Sequence, residues 1–313
     1  MTTEVNGGTV RHRIGRDGSF SLRTMSGTVR LRGTDGDEVV LNARTSASDE
    51  APALTVRRYE GGLHVEPEGR GVSFLGATIG IGQPEIEFEV DLPASARIEL
   101  NSVSAEVSGS LLHGDQSYKL VSGPLLLHDV GGRLDVKSVS GDVCIRGSRP
   151  LEIDVVTTSG DLEVDGRQLE LVRLRSVSGN ATIQGALAAG PEHRVETVSG
   201  DLRLEPEAGL TVEASGPIVG LRSSIGGRAS SRRGQRSFIV GDGAAQLRFR
   251  SMSGQVSLEE RGAPSRSRPA ATPETRSQPA GESRDPLEIL RAVERGELDV
   301  EEASRLLEEH EHA

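Results

Sequence analysis

The dipeptide Ser-Gly recurs along the chain at a nearly constant interval, and that period constrains the fold more than any other feature. Copies stand at Ser122-Gly123, Ser140-Gly141, Ser159-Gly160, Ser178-Gly179, Ser199-Gly200, Ser215-Gly216 and Ser253-Gly254. Successive spacings are 18, 19, 19, 21, 16 and 38 residues, the last being twice 19 with one poorly matched copy near Gly234. Ser104-Ala105 fits 18 residues upstream, and Ser26-Gly27 is an isolated earlier copy. Six and four positions before the Ser stand apolar pairs: Leu134/Val136, Ile153/Val155, Val172/Leu174, Leu247/Phe249, Ile98/Leu100 and Phe20/Leu22. Two and four positions after the Gly stand Val143/Ile145, Leu162/Val164, Ala181/Ile183, Leu202/Leu204, Val256/Leu258 and Val29/Leu31. Each set alternates, as a strand with one buried face does. Each unit therefore reads as strand, corner, strand, turn.

Two architectures satisfy this pattern. In a parallel β-solenoid (β-helix) each unit is one coil of about 19 residues stacked on its own kind. In an antiparallel meander each Ser-Gly is a two-residue hairpin turn. The near-identity of the corners and the steadiness of the period favour the solenoid. Nine coils from Ser104 to Ser253 would rise about 43 Å at about 4.8 Å per coil. The composition suits a thin core of Val, Leu, Ile and Ala: hydrophobic residues are 35% and aromatics 2%, with no Trp and 39 Gly. The first hundred residues fit less cleanly. Leu54/Val56, Leu63/Val65 and Ile86/Phe88/Val90 alternate as irregular early coils or a cap for the open end. The apolar, glycine-rich run 71–82 reads as a loop or an irregular strand, or else as a partner-binding flap. The expected domain is thus 1–260, irregular over 1–100 and regular over 101–260.

Beyond it the composition changes. Residues 261–284 carry Pro264, Pro269, Pro273 and Pro279 among Ser, Thr, Ala and Arg, the signature of a disordered linker. Order is expected again over 285–310. Asp285-Pro286-Leu287-Glu288 reads as a capped helix start, Gly296 as a stop, and Asp299-Val300-Glu301-Glu302 as a second start. Leu287, Leu290 and Val293, then Ala303, Leu306 and Leu307, form two apolar stripes. The expected fold class is therefore an all-β parallel solenoid plus a small C-terminal αα-hairpin. About 25 residues cannot bury a stable core alone, so the hairpin is expected to self-associate or to bind a protein partner.

The charge balance, 36 basic against 47 acidic residues for a net charge of -11, argues against nucleic acid as a partner. Cys144 is the single cysteine, so an intrachain disulfide or a cysteine-based zinc site is excluded. It stands on the outward side of an alternating strand. Residues 1–16 have no apolar core of signal-peptide length, and no run of about 18 apolar residues exists. A cytoplasmic protein with no transmembrane segment is the expectation.

Candidate chemistry is sparse. Asp142, Asp161, Asn180, Asp201 and Gln255 each follow a corner Gly and would stack into a polar column. Stacked carboxylates can hold Ca²⁺ or act on a sugar; Asp and Asn also simply favour such turns. His12, His64, His113, His128, His193, His310 and His312 show no metal-ligand spacing, and neither a nucleophile elbow nor a phosphate-binding loop is present. Arg222, Arg228, Arg232, Arg233 and Arg236 form one basic cluster, a solvated loop or an anion contact. No catalytic, cofactor-binding or metal-binding residue is assigned, no cofactor is expected, and no small-molecule ligand is indicated. The Ser and Gly of the corners are assigned as a structural ladder. The reading is a non-catalytic scaffold or binding protein. The alternative is a carbohydrate-active solenoid enzyme using stacked carboxylates, against which the two Tyr and absent Trp weigh.

The repeated (Ser/Thr)-Val-Ser-Gly-Asp-Leu pattern, at 138–143, 157–162, 176–181 and 197–202, resembles a bacterial domain family of unknown function labelled "putative adhesin". Val90-Asp91-Leu92-Pro93, followed by Ile98 and Leu100, resembles it too, and the likeness covers about residues 18 to 260. The resemblance implies a β-solenoid and an adhesin-like role tied to the cell envelope, and it brings no catalytic residues. The hairpin, from Ile289-Leu290 to Leu306-Leu307, is similar to short helical modules at the ends of such proteins, some of them linked to bacterial envelope stress.

Overall fold

The computed structural model describes residues 2–5, 8–45, 52–68, 71–74, 77–80, 85–232 and 235–261. They belong to the first of two compact units, Met1–Ala263; the second is Pro264–Ala313. Among the described residues every regular element is a strand.

The alternation read from the sequence is the alternation of burial. Leu134 and Val136 before a corner, and Val143 and Ile145 after it, are buried, while Lys137 between Val136 and Ser138 points outward. Each such aliphatic side chain taken from water contributes about 1.5–3 kcal/mol, and one continuous core holds them all. The two strands flanking a corner do not pair with each other. Each pairs in parallel with its equivalent one layer on: Leu134 with Ile153 and Val143 with Leu162, then Ile153 with Val172 and Leu162 with Ala181. A Ser-Gly pair is thus a corner between successive strands that each stack on the next layer, and not a hairpin turn.

The layers do not stack in chain order at either end. The strand Ala245–Leu258 is inserted between 192–206 on one side and 210–223 on the other, parallel to both. The strand Ser19–Thr34 lies likewise between Arg97–Ser110 and the layer made of 62–65 and 86–93. Each terminal layer is therefore held by a strand from elsewhere in the chain. From Ser104 to Ser253 there are seven layers, not the nine expected. The layer of Ser215 lies beyond the Ser253 corner but out of register with it, Ser215 opposite Arg250 and Ile218 opposite Ser253. The expected copy near Gly234 is flanked by an antiparallel ribbon, Arg228–Arg232 with Gln235–Val240, laid against Leu210–Ser215.

Antiparallel strands also cover the opposite end. Leu54–Tyr59 pairs with Gly62–Pro67 and carries Thr2–Val5; Glu38–Thr45 pairs with Ile86–Pro93 and carries Thr9–Arg13. The run at 71–82 contains two short strands paired with each other, Gly71–Phe74 and Ala77–Gly80. The fold class expected from sequence is corrected accordingly. The sheet is mixed, because end layers without a further coil to stack on take antiparallel neighbours that use up their open edges. No helix occurs among the described residues, and the αα-hairpin expected over 285–310, with Leu287, Leu290, Val293, Ala303, Leu306 and Leu307, lies outside them.

Besides the corner hydroxyls, Gln116 and His193 are polar residues buried in the core. Gln116 donates to the carbonyls of Leu112, Gly114 and Gly131 and accepts from the Tyr118 hydroxyl, so a buried turn keeps its backbone partnered. Burial raises the Tyr118 phenol well above its ordinary range. His193 occupies the core position held by Ile153, Val172 and Leu247 in neighbouring layers. It sits where the spacing between corners widens to 21 residues.

Candidate functional site: the corner ridge

The corners carry the repeated residues, and the structure accounts for each of them by position. The corner glycines have positive φ, +101° at Gly123, +115° at Gly141 and +112° at Gly160 and Gly179. They also rest on one another: a Cβ on Gly160 would lie 2.4 Å from the Gly141 carbonyl oxygen, and one on Gly179 would lie 2.2 Å from that of Gly160. Both conditions exclude a side chain. The same contact closes the ladder through Gly200 and Gly254.

The serines bond one layer back. The backbone N–H of Ser140 donates to Val121 O at 2.9 Å, that of Ser159 to Val139 O at 3.0 Å, and that of Ser178 to Thr158 O at 2.9 Å. The hydroxyls of Ser122, Ser140, Ser159 and Ser178 donate to carbonyls one layer back, those of Val103, Val121, Val139 and Thr158, at 3.1 Å to 3.5 Å. The hydroxyl two residues earlier closes the corner from within: Ser138 to Ser140 O, Thr157 to Ser159 O, Ser176 to Ser178 O and Ser251 to Ser253 O.

The polar column after the glycines bonds backbone. Asp142 Oδ1 accepts the Asp161 N–H at 2.9 Å, Asp161 Oδ1 the Asn180 N–H at 2.8 Å, Asn180 Oδ1 the Asp201 N–H at 3.2 Å and Asp201 Oδ1 the Gln255 N–H at 2.8 Å. A side-chain carbonyl-type oxygen is what each position needs, which is why Asn180 stands in an otherwise acidic row. Among the described residues no cluster of three or more His, Cys, Asp or Glu side chains is arranged to hold a metal ion.

Beneath the corners lies a cavity of about 20 Å³, bordered by Leu162, Leu174, Ala181, Val195, Thr197 and Phe249. Ala181 is the cause, since its equivalents are Leu162 one layer back and Leu202 one layer on. The buried Thr197 Oγ1 finds no partner there, although its equivalents in neighbouring layers all close their corners.

The other sequence candidates are not brought together at one point. Arg222 is exposed on the edge strand Ile218–Ser223, opposite Ser257. Arg228 and Arg232 lie on one strand of the end ribbon and Arg236 on the other, and Arg233 lies outside the described residues. Cys144 is half-buried on the outward side, and burial followed by the nearby Glu163 carboxylate pushes its thiol up, away from reactivity. Sequence reasoning missed that His193 is buried; its signal was a polar residue six positions before a corner Ser, where Gln116 is the other case and most layers carry an apolar side chain.

The fold and its corner ridge define a class, a β-repeat domain whose layers are stitched by side-chain ladders. The Toastrack DUF4097 family matches residues 18–259, and the chain belongs to it. No curated protein matches the sequence. Similar crystal structures include a "putative lipid binding protein" from Parabacteroides distasonis, 14% identical over 80% of this chain and 95% of that one, with a TM-score of 0.42. A "putative adhesin" from Bacteroides fragilis is 11% identical over 80% and 95%, with a TM-score of 0.26. A "putative cell adhesion protein" from Clostridium sporogenes is 10% identical over 80% and 98%, with a TM-score of 0.25.

Proposed function

We propose that this chain is a non-catalytic, adhesin-like binding scaffold that presents rigid columns of side chains to a polymer or protein of the bacterial cell envelope. The observation that carries this reading is the engagement of the corner carboxylates. Each carboxylate from Asp142 to Asp201 spends an oxygen on the backbone amide of the next layer, so the row that could act on a sugar is occupied in holding the layers together. A rigid periodic face costs little conformational entropy on binding, which suits adhesion.

The test is co-sedimentation of the full chain with insoluble cell-wall polymers, with reducing ends measured in the supernatant. The expected result is retention on the polymer without release of reducing ends, unchanged in an Asp142→Asn, Asp161→Asn double variant. Release of reducing ends that the double variant abolishes would replace the scaffold reading with a carbohydrate-active enzyme. Absence of retention on every envelope polymer would remove the adhesin-like part.

A further inference from the structure

The residue before the corner serine points out of the ridge in the layers from Ser122 to Ser253, though not at Ser215, where Ala214 is buried. Val121, Val139, Val177 and Val198 are 45%, 51%, 49% and 46% exposed, and Met252 is 61% exposed. Thr158 alone interrupts the column, and Val103 begins it half-buried. At about 4.8 Å per layer the column runs about 30 Å. Its exposed apolar area is on the order of 400 Å², at the size where such patches on a soluble domain mark an interaction surface.

The flanks of the column differ in sign. Two residues before it along the strand, the register stacks Lys119 on Lys137 and then Arg175 beyond Val156; Glu196 interrupts this row before Arg250. Three residues after it stand the exposed Asp142, Asp161 and Asp201. Lys119, Lys137 and Arg175 make loose pairs with Glu99, Asp135 and Glu196 at 3.3, 4.0 and 3.8 Å, with their side chains at least half exposed. They remain available to a partner.

We infer that this ridge is the contact between two copies of the chain, lying side by side with their layers stacked in the same direction. Three features select this occupant. The column residues stand out from the ridge, about half exposed, and line no groove that would enclose a small molecule or a helix. Its backbone N–H and C=O groups are used between layers, as in Ser140 N–H to Val121 O and Ser159 N–H to Val139 O, so an added strand has nothing to pair with. The valines lie between a basic and an acidic row, so the repulsion of the acidic row offsets the attraction of an anionic lipid surface for the basic one. A second copy carries the same layer repeat, so its valines keep step with these along the whole ridge. A two-fold axis parallel to the stack sets valine against valine and swaps the flanks, so that Lys137 of each copy meets Asp142 of the other, with Lys119 and Arg175 one layer from Asp142 and Asp161, against the single like pair Glu196 and Asp201. A two-fold axis across the stack would instead set like rows together. The area is small: about 400 Å² per copy falls below the roughly 1,200 Å² total of a standard interface. The dimer is therefore reversible and salt-sensitive.

The test is sedimentation velocity of the full chain across protein concentration and salt, beside a Val139→Thr, Val177→Thr, Val198→Thr variant. Thr158 shows that threonine fits this column, and unchanged circular dichroism and Tm would certify the fold. The expected result is a concentration-dependent dimer that weakens at least tenfold in the variant and also weakens in high salt. A monomer at every concentration, or a dimer the variant leaves intact, overturns the inference. Orientation is read from single cysteines in a Cys144→Ser background. Val139→Cys should cross-link to itself in the parallel dimer. Cross-linking only between Val121→Cys and Val198→Cys chains would overturn the parallel arrangement, and gain of the oligomer only on anionic vesicles would overturn the choice of partner.

Discussion

His193 Nδ1 accepts the backbone N–H of Val172 at 3.2 Å, while its Nε2 donates to Ala188 O at 2.9 Å. The imidazole is thereby fixed as the neutral Nε2–H tautomer inside an aliphatic core. The widened layer around Ala189 and Gly190 leaves these two backbone groups without ladder partners, and the histidine supplies both. Protonation of Nδ1 would turn an acceptor into a donor facing a donor.

Burial accordingly lowers the His193 pKa from its ordinary 6.5. As pH falls through about 6.5 the unfolded chain takes up the proton first. The stability from the neutral ring is therefore complete above that value and is lost progressively down to the folded pKa, where the loss levels off. His193→Leu matches the neighbouring layers in shape but leaves Val172 N–H and Ala188 O unsatisfied, at a cost of about 1–3 kcal/mol each. Denaturant melts at pH 7.5 and pH 5 should show the variant well below wild type at the higher pH and closer to it at the lower. A gap of constant size would sink this account.

Gly160→Ala should lower stability by about 3 kcal/mol or more. It places a Cβ against the Gly141 carbonyl in a backbone conformation that itself costs about 1–3 kcal/mol for a side chain. Glu163→Val, an exposed change in the next strand, should stay within about 0.5 kcal/mol. Equal Tm values for the two would contradict the glycine ladder.

These corners were legible in the sequence because sterics at Gly160 and alternation at Val143 and Ile145 act locally and repeat. The order of the layers was not legible. Ala245–Leu258 and Leu210–Ser215 carry the same alternating pattern, and nothing in either says which lies inside. Only the completed pairing shows that the later one does. The antiparallel ends were hidden for the same reason, since Glu38–Thr45 alternates identically whichever way it runs. The Asp142 row could be read from sequence as a cation site or as turn chemistry, and the choice depends on a backbone amide one layer away that the spacing alone does not reveal.

That row makes its own prediction. Asp161→Asn keeps an oxygen for the Asn180 amide and should change stability little, whereas Asp161→Ala removes it and should cost about 1 kcal/mol. Equal losses in chemical denaturation would show that the charge, and not the acceptor, matters.

The cavity under Ala181 can be filled. Ala181→Val adds two methyl groups between Leu162 and Leu202, where about 20 Å³ stands open. A gain of about 1 kcal/mol is expected, which raises Tm by about 2–4 °C in a domain of this size. A lower Tm would mean that the Gly179 corner cannot move by the small amount a valine needs.

The inserted strand offers the strongest test of the topology. Ala245–Leu258 is the only described partner of Ile218–Ser223 and the parallel neighbour of Leu210–Ser215. It also covers 192–206 on its other side. In a solenoid wound in chain order, ending the chain at Gly243 would remove one terminal coil and leave the rest capped as before. Here it removes an inner layer, strips Leu247, Phe249, Val256 and Leu258 from the core, and uncouples the final layer as well. The truncated protein is therefore expected to bind a hydrophobic dye and to aggregate on warming. Its loss of Tm should exceed that caused by deleting only the ribbon 228–240 and bridging the gap with a short glycine linker. A chain ending at Gly243 that stays monomeric, leaves the dye unbound and melts above the ribbon deletion would show that the two end layers can close directly on 192–206, and the interposed order would then be wrong.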